Sequence, residues 1–195
     1  AYLSQAKTVT TEIDVRCALT LFNQFQLLSP LRSGNYGIEA LNLAIERGLN
    51  RHGAINLSQG AWYVGRPIMI VTNDHAQQLY NGDIGLLLPD INDENGVARV
   101  YFIMANGEIK SFLPSRLPAH ETVYAMTIHK SQGSEFDHVV LSMPDSWSPL
   151  LTKELIYTGI TRAKKTVDIF SPPAVFRQAT LSKIHRVSGL AQALA

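Results

Sequence analysis

Apolar and polar positions alternate along this chain in two rhythms, helical at both ends and strand-like in the middle. From Thr11 onward, Val15, Leu19, Phe22 and Phe25 recur near helical spacing. Thr10 or Thr11 stands where it can cap that helix, and Glu12 and Asp14 suit its positive end. Gln26 to Leu31 (QLLSPL) is a short apolar run that predicts a buried strand, and it ends in the loop Arg32-Ser33-Gly34-Asn35-Tyr36-Gly37. Ile38, Leu41, Ile45 and Leu49 repeat at three and four residues and predict a second helix, with Gly53 just past its end. Ala1 to Val9 are weakly patterned.

Helical periodicity then vanishes between about Trp62 and Pro118. Pro67 to Thr72, Ile84 to Leu88, Val97 to Met104 and Glu108 to Leu113 read as short strands. Asn81-Gly82-Asp83, Asn95-Gly96 and Asn106-Gly107 supply the turns, the last two being strong hairpin signals. So many short strands in so short a stretch predict a small barrel. After Pro118 the α/β rhythm returns. Val123 to Thr127 leads into a loop, His138 to Met143 reads as a buried strand, and Thr152 to Lys164 has helical composition. Thr166 to Phe170 is a further strand, and Pro172 and Pro173 open a last helix. The expected architecture is an α/β domain built from residues 1–60 and 119–195, interrupted by a small β-barrel at 61–118.

Composition narrows the function classes. The chain has 195 residues, room for one or two domains, and 46% hydrophobic with 17% charged residues fits a globular core and argues against a disordered tail. Seventeen Lys and Arg against sixteen Asp and Glu leave +1, so any nucleic-acid binding must use a local patch. The single cysteine, Cys17, excludes a disulfide framework and a cysteine-based zinc site and fits a reducing compartment. No apolar run is long enough to span a bilayer and no charged-then-apolar leader opens the chain, so the expectation is a cytoplasmic protein without a membrane partner.

Three segments combine glycine, hydroxyl and basic side chains at strand ends, where open α/β sheets bind phosphates. In AMTIHKSQGSEF, Thr127, His129 and Lys130 can hold phosphate oxygens, and Glu135 after Gly133 can accept from a ribose hydroxyl. In LIYTGITRAKK, Arg162 on a helix could stabilise phosphoryl charge across a cleft. In LSPLRSGNYGIEALN, Arg32 stands just past a strand. Each also has a plain alternative. The first reads equally as a polar surface loop, the second as a basic helix end complementing the dipole, and the third as a common strand-Arg-Gly turn.

Taken together the three resemble one family. THKSQGSEF followed by LIYTGITRAKK resembles motifs V and VI of superfamily 1 helicases, and PLRSGNYGIEALN resembles the motif IV region. GRPIMIVTNDHAQQLYNGDIGLLL resembles the Asn-Gly-Asp-Gly insert of the RecD-like branch, which translocates 5′ to 3′, and the likeness extends to HRVSGLAQAL near the C-terminus.

The resemblance implies a second RecA-like motor domain of the P-loop NTPase type, itself without a P-loop, carrying a Src-homology-3-like barrel. It places Arg162 as the catalytic motif VI arginine that reaches the γ-phosphate, and Gly133 and Glu135 near the nucleotide sugar. Arg32 would be the motif IV arginine at the ATP, while Thr127, His129 and Lys130 would meet single-stranded DNA. The expected cofactors are ATP and magnesium, held mainly by a first motor domain, since no GxxxxGK[ST] loop or magnesium-holding acidic motif occurs here. No metal site is expected in this chain. The expected partners are single-stranded DNA, through its phosphate backbone, and the two other subunits of an exodeoxyribonuclease V complex. Two alternatives remain: a docking module with degenerate motor motifs, and a relaxase-type or Pif1-type helicase.

Overall fold

The computed structural model describes residues 1–58, 60–93 and 96–184. The HRVSGLAQAL stretch and Asn95 of the expected Asn95-Gly96 turn lie outside the described residues. Residues 2–6 form a short helix, α1 (Tyr2–Ala6), where the sequence carries little pattern. It exists through packing: Ala6 is buried and the Tyr2 ring meets Phe22 edge-on at 5.2 Å. The helix α2 (Glu12–Phe22) begins at a capping box, with the Thr11 hydroxyl accepting from Asp14 N and the Asp14 carboxylate accepting from Thr11 N. The strand β1 (Phe25–Ser29) and the helix α3 (Ile38–Arg51) follow as expected.

The middle of the chain forms β2 (Pro67–Ile70), β3 (Ile84–Leu88), β4 (Arg99–Ile103) and β5 (Ile109–Phe112). A single 3-10 turn, Pro114–Arg116, then leads to β6 (His120–Thr122), a strand the sequence pattern did not reveal. These five strands make one antiparallel sheet in the order β5-β4-β3-β2-β6. Its last strand lies beyond the expected boundary at residue 118. The two ends of the sheet's chain are stitched together. Val123 N donates to Pro67 O at 3.1 Å, and Arg66 donates twice to the Thr122 hydroxyl, at 3.0 and 2.8 Å. The Tyr63 and Tyr124 hydroxyls lie 3.1 Å apart, and Tyr63 also donates to Glu46 of α3.

The chain then returns to a parallel sheet through β7 (Ala125–Thr127), β8 (Phe136–Ser142), α4 (Lys153–Ile160), β9 (Ala163–Phe170) and α5 (Pro173–Leu181). All four strands run parallel, in the order β7-β1-β8-β9. The expected helix through Lys164 ends early, because Ala163 already pairs with Phe136 and begins β9. Arg162 therefore stands in the connector between α4 and β9, not on a helix. One hydrophobic core joins both sheets: Val15, Leu19 and Phe22 of α2 lie in a cluster with Leu28, Met126, Val139 and Leu141 of the parallel sheet. Met69, Leu86, Leu88 and Tyr101 of the antiparallel sheet belong to the same cluster. Among the described residues no helix is long and apolar enough to cross a membrane.

Candidate nucleotide and nucleic-acid site

The loop after β7 is fixed from within. Ile128 N donates to Ser29 O of β1, and the buried Ser131 hydroxyl donates to Ile128 O at 2.8 Å. Lys130 N donates to the Thr127 hydroxyl at 3.3 Å, while Ser131 N and Gln132 N donate back to Thr127 O and His129 O. This tight coil leaves His129 exposed. Gly133 takes φ +88°, a conformation that side-chain-bearing residues avoid, and so turns the chain toward Ser134 and Glu135 at the start of β8.

Arg162 is anchored to that turn. Its Nη1 donates to Ser134 O at 3.1 Å, its Nε to Thr158 O at 3.2 Å, and its Nη2 to the Thr161 hydroxyl at 3.3 Å. Behind it, Phe136 N donates to Arg162 O at 2.8 Å, welding the turn to the connector. A guanidinium carries five N–H donors, so such an anchorage leaves donors for an incoming anion. Glu135 stands beside this group and meets Lys164 Nζ at 3.6 Å, both side chains being well exposed. A small pocket of about 300 Å³ is lined by Ser134 and Glu135 together with Gly82, Asp83 and Ile84.

Arg32 and Lys130 form a second basic group, and one carboxylate joins them. Glu121 of β6 accepts from Lys130 Nζ at 2.8 Å and from Arg32 Nη2 at 3.3 Å, and Arg32 also meets Glu39 of α3 at 3.3 Å. Glu121 carried no signal in the sequence, since His-Glu-Thr shows no periodicity and its partners are distant along the chain. Lys164 was missed for the same reason, its partner Glu135 lying in another segment.

The parallel register separates the two groups. Phe136 pairs with Ala163, so Arg162, Gly133 and Glu135 lie at the amino ends of β8 and β9. Ser29 pairs with Thr127, so Arg32, Thr127 and Lys130 lie at the carboxyl ends of β1 and β7. The structure thus brings Arg162, Gly133 and Glu135 together and does not bring Arg32 to them. Beside His129 a larger groove, about 940 Å³, runs past Gln132, Trp147, Leu150 and Thr158. Among the described residues no group of three or more His, Cys, Asp or Glu side chains could hold a metal ion.

Residues 122–169, the segment that carries both motif loops, match the family described as UvrD-like helicase C-terminal domain. Over 174 residues, 89% of this chain, the sequence is 43% identical to the RecBCD enzyme subunit RecD of Haemophilus influenzae and covers 25% of it. Over 181 residues, 93% of this chain, it is 39% identical to the RecBCD enzyme subunit RecD of Mycolicibacterium smegmatis and covers 31% of that protein. The chain therefore spans about a quarter to a third of the length of these curated relatives. The fold is similar to that of a Pif1 helicase from Bacteroides solved with ADP-AlF3 and single-stranded DNA. The TM-score is 0.51 at 17% identity, covering 99% of this chain and 48% of that one.

Proposed function

This chain is a homologue of the C-terminal part of RecD, a superfamily 1 helicase subunit, and on that premise we propose that it forms the second motor domain of a 5′–3′ DNA helicase. The full subunit would work in an exodeoxyribonuclease V complex, in double-strand-break repair and recombination in the cytoplasm, with the complex's two other subunits as partners. The five antiparallel strands, with a 3-10 turn before the last, are read as a Src-homology-3-like barrel inserted into the motor domain. Residues 1–60 and 119–195 make up the motor domain in this reading, except that β6 (His120–Thr122) completes the antiparallel sheet of the insert.

One observation carries the proposal: Arg162 is anchored on the carbonyls of Ser134 and Thr158, next to Gly133 and Glu135. Carbonyl acceptors hold a guanidinium in place without neutralising it. An arginine held so is ready for charge that develops on a transferring phosphoryl group. The donor set suits the outer half of a nucleotide site. Arg162 offers N–H groups to phosphate and Glu135 offers a carboxylate to a sugar hydroxyl. Bound ATP with magnesium would supply the phosphoryl chemistry, and a first motor domain would hold most of it. Thr127, His129 and Lys130 would take phosphates of single-stranded DNA at the other end of the sheet. Arg32 shares Glu121 with Lys130, so a motif IV role at the nucleotide would require this arginine to leave both of its carboxylates.

The test is Arg162→Ala in the complete subunit. An arginine acting on the transition state is worth roughly 10³–10⁵ in turnover, whereas a surface pairing contributes about 1 kcal/mol or less to stability. ATP hydrolysis should fall at least about a hundredfold with folding and subunit assembly intact. Arg162→Lys should restore little, because an ammonium does not reproduce the planar fork. Near-normal hydrolysis in the alanine variant would overturn the assignment.

A further inference from the structure

The start and end of the antiparallel sheet carry a group of planar side chains that the motor motifs do not use. Trp62 is 40% exposed, the Arg66 guanidinium lies over its ring at 4.7 Å, and the His120 ring is 5.4 Å away. Each neighbour is itself held. Arg66 donates through Nε and Nη2 to the Thr122 hydroxyl, and His120 Nδ1 donates to Pro118 O at 2.7 Å. An indole so placed shows an aromatic surface to solvent beside a fixed cation. That combination stacks the bases of single-stranded nucleic acid without regard to sequence.

Its position favours the same ligand. Successive side chains on a strand point to opposite faces, so His120 and Thr122 of β6 face the stack while Glu121 between them faces Lys130 and Arg32. β6 is also an edge of its sheet. A single strand passing that edge meets cations for its phosphates on one side and an aromatic platform for a base on the other. We propose that Trp62, backed by Arg66 and His120, is a base-stacking platform for single-stranded DNA on the insert. The proposal rests on the reading of Thr127, His129 and Lys130 as a phosphate-binding loop.

The experiment compares two labelled oligonucleotides of about twelve nucleotides, oligo-dT and a fully abasic strand of equal length, by fluorescence anisotropy with the 195-residue chain. The abasic strand reads phosphate contacts alone. The wild-type chain should bind oligo-dT at least about fivefold more tightly than the abasic strand. Trp62→Ala should abolish that ratio and leave abasic binding unchanged, while Trp62→Phe should keep part of it. A ratio of one in the wild type, or an unchanged ratio in Trp62→Ala, overturns the platform. If the alanine variant does not fold, the Trp62 emission of a Trp147→Phe chain reads the same contact. Quenching by oligo-dT but not by the abasic strand supports the proposal, and equal or absent quenching overturns it. Lys130→Ala tests the underlying reading separately. Unchanged abasic binding in that variant would remove the phosphate loop without touching the base-dependent ratio.

Discussion

Glu121 is the side chain that sets how much positive charge Arg32 and Lys130 can offer. It accepts from both, at 3.3 and 2.8 Å, so two cations expected to meet phosphate are each partly spent on one carboxylate. Replacing it with glutamine removes the charge and keeps the shape. Ion pairs that still reach solvent are worth about 0–1 kcal/mol, so Glu121→Gln should shift the thermal midpoint by no more than about 4 °C. Affinity for single-stranded DNA should rise about two- to threefold at low salt, with a slightly steeper salt dependence, because Lys130 is freed to displace a counterion while Arg32 keeps its contact with Glu39. Unchanged affinity with a drop of many degrees in the midpoint would make Glu121 a structural residue. The positions of Thr127 at the end of β7 and of Gly133 and Arg162 around the start of β8 and β9 were legible from the motif loops. The pairings were not, since Glu121 and Arg32 are far apart in sequence and nothing local links them.

Caps and turns made most of the elements readable. α2 was legible because Thr11 and Asp14 form a capping box ahead of an apolar stripe, and Thr11→Ala should cost about 1 kcal/mol in a denaturant titration. Three-residue β6 and five-residue α1 were not legible, since neither is long enough to show a period and both are held by tertiary contacts. The helix ending at Ile160 instead of Lys164 has a similar cause: pairing with Phe136 claims Ala163 for β9.

Close packing within the antiparallel sheet gives a sharper test. A Cβ at Gly85 of β3 would stand 2.7 Å from Tyr101 O and 2.8 Å from the Phe102 ring, against backbone that cannot yield. Gly85→Ala should therefore destabilise the chain by about 1–3 kcal/mol. Acid should act at the carboxylates that accept backbone N–H groups. The Thr11 hydroxyl and the Thr10 and Thr11 amides hold Asp14 below the usual carboxylate range, and the Asn92 amide and Arg99 do the same for Asp90. A carboxylate with a depressed folded pKa contributes stability above its unfolded pKa, about 3.9, and loses it as pH falls through the folded value. The thermal midpoint should be flat between about pH 5 and 8 and fall below about pH 4. Asp90→Asn should lower the midpoint at neutral pH and flatten the acid limb. An acid limb that Asp90→Asn leaves as steep as before would remove Asp90 from this account.

For the whole molecule, the interrupted α/β pattern was readable because strand-like runs and Asn-Gly turns sit between two helical stretches. The strand order was not, because β1 and β7 are short apolar runs and nothing local shows that residues 125–127 return beside residues 27–29. Nor did the pattern reveal that one face of α2 serves both sheets. Val15, Leu19 and Phe22 share a cluster with Leu28 and Val139 on one side and with Met69, Leu86 and Tyr101 on the other. The ends of the antiparallel sheet meet closely enough, through Val123 and Pro67, that a short linker could replace residues 68–121 without stretching the chain. Geometry alone therefore predicts a clean excision, and the core predicts the opposite. Removing that segment would bare the α2 face that now meets Met69, Leu86 and Tyr101. Fully burying a side chain of that size is worth about 1.5–3 kcal/mol, and a few such losses equal the 5–15 kcal/mol by which a domain is stable. The excised chain should be unfolded or aggregated, and the intact chain should melt in one transition with ellipticity and tryptophan emission changing together. Two resolved transitions, or a soluble excised chain with a cooperative melt, would show that the two sheets are energetically independent despite the core they share.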